Sequence, residues 1–301
     1  MNRLKMIFLL CLGMLISCAF LEGQERNSTK AKKYNLSICA VFKNEAKSLK
    51  EWLEYHQMVG VDHFYLYNNS SSDPYMDILK PYIQEGVVTL VQWPYQLSDL
   101  SEDRDLIWLL NTQISAYENA ARFRAIDETK WLVFVDLDEY LLPPSSNSLR
   151  EILERYDAYP GIILAKDYFD SSPDGMFGRR SLVIESSAKV DSSKEIVDKN
   201  VEKTIFKPDQ YEYFLWAPYR CVFKGNKQPA KLSKREVRIN RYINRSVQHL
   251  FSGKSNDTIR ANVRLLSQDE VRDLLDESAD HENSIYRYVP DLRKKVGLDA
   301  W

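Results

Sequence analysis

Cysteine is scarce: there are 4 in 301 residues, and two of them, Cys11 and Cys18, fall in the N-terminal apolar segment. The other two, Cys39 and Cys221, are too few and too far apart for a disulfide framework or a zinc site. Cys39 lies inside the apolar run "LSICAVF", where a cysteine acts as a small buried hydrophobe. Glycine (10) and proline (11) are too sparse for a collagen-like or low-complexity chain. Neither charge sign is in excess. Lys plus Arg total 41 against 43 Asp plus Glu, a formal net charge of −2, so no global field exists to collect nucleic acid or an anionic membrane. No nucleic-acid partner is expected, and any bound anion must be held by a local site. No internal repeat is visible. What is abundant is core-forming material: 44% hydrophobic residues, with 18 Tyr, 12 Phe and 6 Trp, which excludes a disordered chain.

Long apolar runs are also missing outside the first two dozen residues. "MNRLKMIFLLCLGMLISCAFLEGQ" places Arg3 and Lys5 ahead of an apolar stretch, the layout of an export signal. That stretch falls short of the roughly 20 residues a spanning helix prefers. Residues 1–23 are therefore expected to be a signal peptide or membrane anchor, giving a membrane-associated or exported protein. "LISC" also resembles a lipobox that would lipidate Cys18. The alternative destination is a secretory-pathway lumen, where the Asn-x-Ser/Thr sequences at Asn27, Asn35, Asn68, Asn69, Asn244 and Asn256 would matter. The polar stretch 24–34 reads as a linker.

From there the chain alternates. "LSICAVF" is followed by Leu49, Trp52, Leu53 and His56 at helical spacing, and "VDHFYLYNN" by Asp73-Pro74, an N-cap with proline at the first helical position. "VVTLVQW" gives a third strand. Ile107, Leu110, Ile114, Tyr117 and Ala121 mark one face of a long helix, which delivers the chain to "WLVFVD". Four such units predict an α/β fold with a parallel sheet covered on both faces. Beyond Pro143 the spacing predicts a short helix near Leu149 to Tyr156, a strand "GIILAKDYF" and then mixed strands and loops. Ser267 and Glu270 form a capping box that opens a C-terminal helical extension, 266–301.

The fourth apolar run, "WLVFVDLDEYLLP", ends in Asp136, Asp138 and Glu139. In open α/β sheets ligands bind outside the carboxyl ends of the strands. Alternation puts Asp136 and Asp138 on one side if the extended conformation continues through Leu137. Two converging carboxylates repel unless a cation neutralises them, and a hard divalent ion, Mg²⁺ or Mn²⁺, would do so and bring a substrate diphosphate with it. The competing reading has Asp136 capping a turn while Asp138 and Glu139 are solvated.

"ICAVFKNEAKSLKEWLEYHQMVGVDHFYLYNNSSSDPYMDILKPYIQEGVV" and "TQISAYENAARFRAIDETKWLVFVDLDEYLLP" closely resemble glycosyltransferase family 92, with weaker traces in "VEKTIFKP" and "INRYINRS". The resemblance implies a GT-A (Rossmann-like) nucleotide-sugar-binding fold over 35–265, with a mostly parallel central sheet. It also implies a metal-dependent, inverting hexosyltransferase that takes a UDP-sugar, with galactose as the sugar often transferred, and a glycan or other hydroxyl acceptor. Asp138 would bind the metal, and Asp136 would face the ribose or the metal. Phe42, Lys43, Asn44 and Glu45, then Asn69, Ser71 and Asp73, would line the nucleoside. The competing reading makes Asn44 and Asp73 helix caps. Gln113 is either a donor contact or exposed on its helix. Asp170 and Glu185 are the candidates for the base that deprotonates the acceptor.

Three departures from the family pattern stand out. Glu185-Ser186-Ser187 replaces Glu-Arg-Phe, Phe169-Asp170 replaces Phe-Gly, and Asn240-Arg241-Tyr242 replaces Asn-His-Tyr. Arg241 would pair with the diphosphate as a permanent cation. Lys203, Lys207 and Arg245 are either further neutralisers of the leaving nucleotide or ordinary surface charges. Two other functions share these features: a nucleotide-sugar-binding protein without transfer activity, and a metal-dependent phosphoesterase.

Overall fold

A computed structural model of the chain describes residues 31–94, 109–171, 182–185, 187–189, 202–214, 220–243 and 284–298. The sheet is organised around β1 (Tyr34–Phe42), which pairs in parallel with β2 (His63–Asn68) on one side and β4 (Thr129–Phe134) on the other. β3 (Val88–Gln92) continues outward from β2, also in parallel. The crossovers are α1 (Ala46–Met58) and α2 (Tyr75–Gln84).

Period-2 alternation sorts these strands into two separate cores. Leu36, Ile38, Ala40, Phe64, Leu66, Trp131 and Val133 face α1, whose Leu49, Trp52 and Leu53 are fully buried against them. Cys39, Tyr65, Tyr67, Leu132 and Phe134 face the opposite way, onto Ala116, Tyr117, Ala120 and Ala121. These last residues belong to α3 (Ser115–Asn119) and the wide π turns on either side of it, Leu109–Ile114 and Ala120–Arg124. Helices on both faces explain why the strands read as near-continuous apolar runs. The long helix expected before β4 is therefore present from Leu109, while Ile107 lies outside the described residues.

Beyond β4 come β5 (Glu139–Leu142), α4 (Leu149–Arg155), β6 (Gly161–Ser171), β7 (Ser187–Lys189), β8 (Glu202–Phe206), β9 (Tyr211–Phe214), β10 (Cys221–Phe223), β11 (Ala230–Lys231) and β12 (Arg238–Ile243). The main sheet runs β3-β2-β1-β4-β8-β6-β12-β5. β8 lies antiparallel between β4 and β6, so β6 and its parallel neighbour β12 run the same way as β1 to β4. Six strands of this path thus present their carboxyl ends at one edge, and among the described residues the sheet is mixed but mostly parallel, as the sequence implied.

The capping box Ser267/Glu270 and the whole of 1–23 lie outside the described residues. After the turn Ser284–Tyr288, α5 (Val289–Val296) buries Val289 and Leu292 in the same core as α1 and stops at Gly297, whose φ of 82° lies in the left-handed region that a residue without a Cβ adopts freely. Among the described residues no helix is long and apolar enough to cross a membrane.

Candidate functional site

At the carboxyl edge, the loops after β1 and β2 are stitched to one another by the polar residues the sequence singled out. Asn69 N donates to Phe42 O at 2.8 Å and Asn69 Nδ2 to Trp93 O at 2.9 Å. Asn44, in the left-handed region at φ 57°, accepts at Oδ1 from Ser72 N (2.8 Å), and its own N–H donates to Ser71 Oγ (2.9 Å). Asp73 does not cap its own helix: Pro74 occupies that position with no side-chain cap. Instead Asp73 Oδ2 accepts from Ala46 N at 2.7 Å, capping α1 across the loop. Phe42 is buried edge-on to Tyr75, 5.5 Å between ring centres, Lys43 is exposed, and Glu45 accepts from Ser48 Oγ at its own helix start. These two loops therefore form one rigid ledge.

The acids stand beside that ledge, but not by strand alternation. β4 stops at Phe134, and Leu137-Asp138 form a turn with Leu137 buried. Asp136 N donates to Glu139 Oε2 (3.0 Å), Glu139 N donates to Asp136 O (3.0 Å), and the Trp52 indole N–H reaches both Glu139 O (2.9 Å) and Asp136 O (3.2 Å). The turn, not the pleat, converges the carboxylates: Asp136, Asp138 and Glu139 each offer an oxygen within 4.8 Å of the others.

Repulsion among them is relieved by the chain itself. Lys203 of β8 bonds Glu139 Oε2 and lies 3.3 Å from Asp136 Oδ2, Lys166 of β6 lies 3.0 Å from Glu139 Oε1, and Arg241 of β12 donates from Nε to Asp138 Oδ2 at 3.1 Å. Both lysine side chains and the Glu139 side chain are almost completely buried. Burial alone would raise the Glu139 carboxyl, but Lys166 and Lys203, with Arg241, outweigh it and hold the group well below the usual carboxylate range. Asp138 goes the other way: its burial raises the carboxyl, and Arg241 only partly offsets this. Asp138 Oδ1 is buried with no hydrogen-bond partner, although the residue is only 9% exposed.

Asp136 is the most open of the three, its side chain 22% exposed. Its Oδ1 accepts from Tyr117 OH (3.1 Å) and from Gln113 Nε2 (3.3 Å). Gln113 is therefore neither exposed on its helix nor presented to solvent: it is buried and holds Asp136.

Of the two base candidates, Glu185 is enclosed. Both its oxygens accept from Arg293 Nη1 at 2.9 Å, Oε2 also accepts from Leu182 N, and the side chain has no exposed area. Burial raises this carboxyl, with Leu182 N and Arg293 opposing. Glu185 as it stands fastens α5 to the domain rather than facing a crevice. Asp170 sits near the carboxyl end of β6, in register with Ile243 of β12, at the same edge as Asp136; its side chain lies outside the described residues. Arg245 also lies outside them, and Lys207 is spent on Asp157 at 2.8 Å and the Trp131 ring.

Lys166 is the member of the site that sequence reading missed. The available signal was a lone lysine inside the apolar strand "GIILAKDYF", a placement that demands a buried partner. Lys203 is not a surface charge: its side chain is buried and paired with Glu139.

The description "Glycosyltransferase family 92" matches residues 32–282. A family 92 protein of Oryza sativa subsp. japonica is 27% identical over 134 residues, covering 44% of this chain and 20% of its own length. A second, of Arabidopsis thaliana, is 30% identical over 157 residues (48% and 25%), and a galactan beta-1,4-galactosyltransferase of the same plant is 28% identical over 141 residues (44% and 26%). The chain thus spans about a quarter or less of the length of these curated relatives. Among solved structures, S. aureus TarS in complex with UDP-GlcNAc aligns over 86% of this chain and 73% of its own at 14% identity, TM-score 0.42. With the family description matching most of its length, the chain belongs to glycosyltransferase family 92.

Proposed function

We infer that this chain is a glycosyltransferase that moves a hexose, galactose by analogy with the galactan galactosyltransferase relatives, from a UDP-sugar to a hydroxyl of a glycan acceptor, with inversion. The observation that carries the reading is the acidic turn Asp136–Glu139 at the carboxyl edge of β4, beside the ledge formed by the β1 and β2 loops. A divalent ion, Mn²⁺ or Mg²⁺, suits the donor set: the ligands are all oxygen, three of them lie within 4.8 Å, and Asp138 Oδ1 is buried and unpartnered. Asp136 and Asp138 would hold it where it binds, Asp138 being shared with the Arg241 guanidinium, and the ion would then add charge at the donor diphosphate as the nucleotide departs.

The chain's own residues do the rest. Gln113, Tyr117 and Lys203 fix the Asp136 carboxylate, so its orientation does not depend on a ligand. Asn44, Asn69, Ser71 and Asp73 spend their side chains on rigidifying the ledge, which lowers the entropy lost when a nucleoside settles on it. Asp170, at the same edge, is the base assigned to remove the acceptor proton. Membrane association or export through residues 1–23 belongs to the same reading, and fractionation of the full chain against Cys18→Ser tests the lipidated form.

Purified protein with UDP-galactose, Mn²⁺ and a glycan acceptor should release UDP. Asp138→Ala should abolish release, and Asp170→Asn should abolish transfer while UDP-sugar binding persists. Turnover unchanged in Asp138→Ala removes the reading. Tight binding of a UDP-sugar that is never consumed would instead favour a binding protein, and cleavage of a plain diphosphate ester would favour a phosphoesterase.

A further inference from the structure

We propose that Arg241, rather than a divalent ion, is the cation on which this chain's donor site depends, so that a nucleoside diphosphate binds without metal and a metal ion must compete with the guanidinium for Asp138. This rests on the donor reading above. Three carboxylates converge at the turn, and three cations from three different strands already answer them: Lys166 from β6, Lys203 from β8 and Arg241 from β12. Among the described residues three cations thus face three carboxylates before any ligand arrives, which lessens the excess negative charge that ordinarily draws a divalent ion.

The three cations are not equivalent. Lys166 and Lys203 are buried against Glu139 and cannot reach a ligand, whereas the Arg241 side chain is 20% exposed beside the Asp138 side chain at 11%. Its placement is fixed by backbone: Arg241 is in register with Glu139 across the β12–β5 pair, and Tyr242 N donates to Asp138 O at 2.8 Å. A guanidinium held there stays charged at every working pH and recognises phosphate oxygens in a planar fork. A metal ion seeking Asp138 meets that charge 3.1 Å from Oδ2. Asp138 Oδ1, buried and unpartnered, then marks a place where an ion can still bind, weakly, once the guanidinium moves onto a diphosphate.

Calorimetry of the full chain with UDP in EDTA, and separately with Mn²⁺ alone, tests this. The wild type should bind UDP in EDTA. Arg241→Gln should lose about tenfold or more of that affinity, while Arg241→Lys should keep most of it. Mn²⁺ alone should bind Arg241→Gln more tightly than wild type, a change that a merely misfolded variant, excluded by its melting curve, would not show. UDP binding that vanishes in EDTA and returns with Mn²⁺ overturns the inference and leaves the transferase reading standing. Equal UDP affinity of wild type and Arg241→Gln in EDTA also overturns it. No UDP binding under any condition sinks the donor reading itself.

Discussion

Replacing Lys203 by methionine removes one ammonium from the acidic turn while keeping most of the aliphatic stem in place. In the wild type this ammonium is 1% exposed, bonds Glu139 Oε2 and lies 3.3 Å from Asp136. Its loss leaves Glu139, itself without exposed area, with Lys166 at 3.0 Å, the Asp136 N–H at 3.0 Å and the more distant Arg241. Removing one partner of a buried ion pair costs about 3–5 kcal/mol, and the surviving lysine puts the expected loss at the lower end, about 3 kcal/mol. For a chain of this size that corresponds to a fall in Tm of about 5 °C. The pH dependence supplies an independent check. The folded Glu139 pKa lies below its unfolded value of about 4.3, so the pairing stabilises above that pH and is lost as the pH falls through the depressed folded value. In Lys203→Met the folded pKa rises, and acid then neutralises the group that the substitution stranded. The deficit should be largest near neutral pH and shrink as the pH falls below the raised folded value. Urea unfolding of both proteins across that range measures it. A loss under about 1 kcal/mol, or a deficit that does not change with pH, would refute the claim that a charged Glu139 is held by this lysine.

Three further substitutions probe the frame around the site. Asp73→Ala leaves the first N–H of α1 unsatisfied and frees the β2 loop, with an expected cost of about 1 kcal/mol in urea unfolding and weaker UDP binding in the same preparation. Gly161→Ala places a methyl group against the Phe223 ring and 3.1 Å from Ile205 O, so chemical denaturation should show a loss of about 1–3 kcal/mol. Arg293→Leu strands the buried Glu185 carboxylate at a cost of about 3 kcal/mol. The double variant with Glu185→Leu should recover most of this, whereas a double variant as unstable as the single one would mean that the pair does not fasten α5.

The first four strands and α1 were legible because burial there is local in sequence. "LSICAVF", "VDHFYLYNN" and "WLVFVD" advertise double-faced burial, and Leu49, Trp52 and Leu53 recur at the helical period, so composition and spacing carry the answer. The acidic turn was legible for a related reason: an apolar run that stops abruptly at three acids marks a strand end. Its geometry was not. Asp-Leu-Asp reads as alternation, and only the hydrogen bonds from the Trp52 indole, far upstream, and from Asp136 N to Glu139 Oε2 reveal a turn in place of a continued strand.

The cations were the least legible part of the site, and the cause is topological. β8 inserts antiparallel between β4 and β6, so Lys203 becomes the immediate neighbour of a strand that precedes it by about seventy residues, with Lys166 and Arg241 entering from the next two strands across. Sequence spacing cannot announce such neighbours, and overall net charge averages over them. What a sequence can show is the anomaly each one creates locally: Lys166 inside "GIILAKDYF", Lys203 inside "VEKTIF" and Arg241 inside "RINRYI" each break an apolar pattern, and strand alternation turns the adjacent Asp167 and Glu202 to the face opposite their lysines. A buried lysine without a counter-ion would lose its proton or unfold its strand, so each break implies an acid elsewhere. In the described residues the three acids of "DLDE" meet these three breaks, so the turn is answered by the chain's own cations whether or not a metal binds.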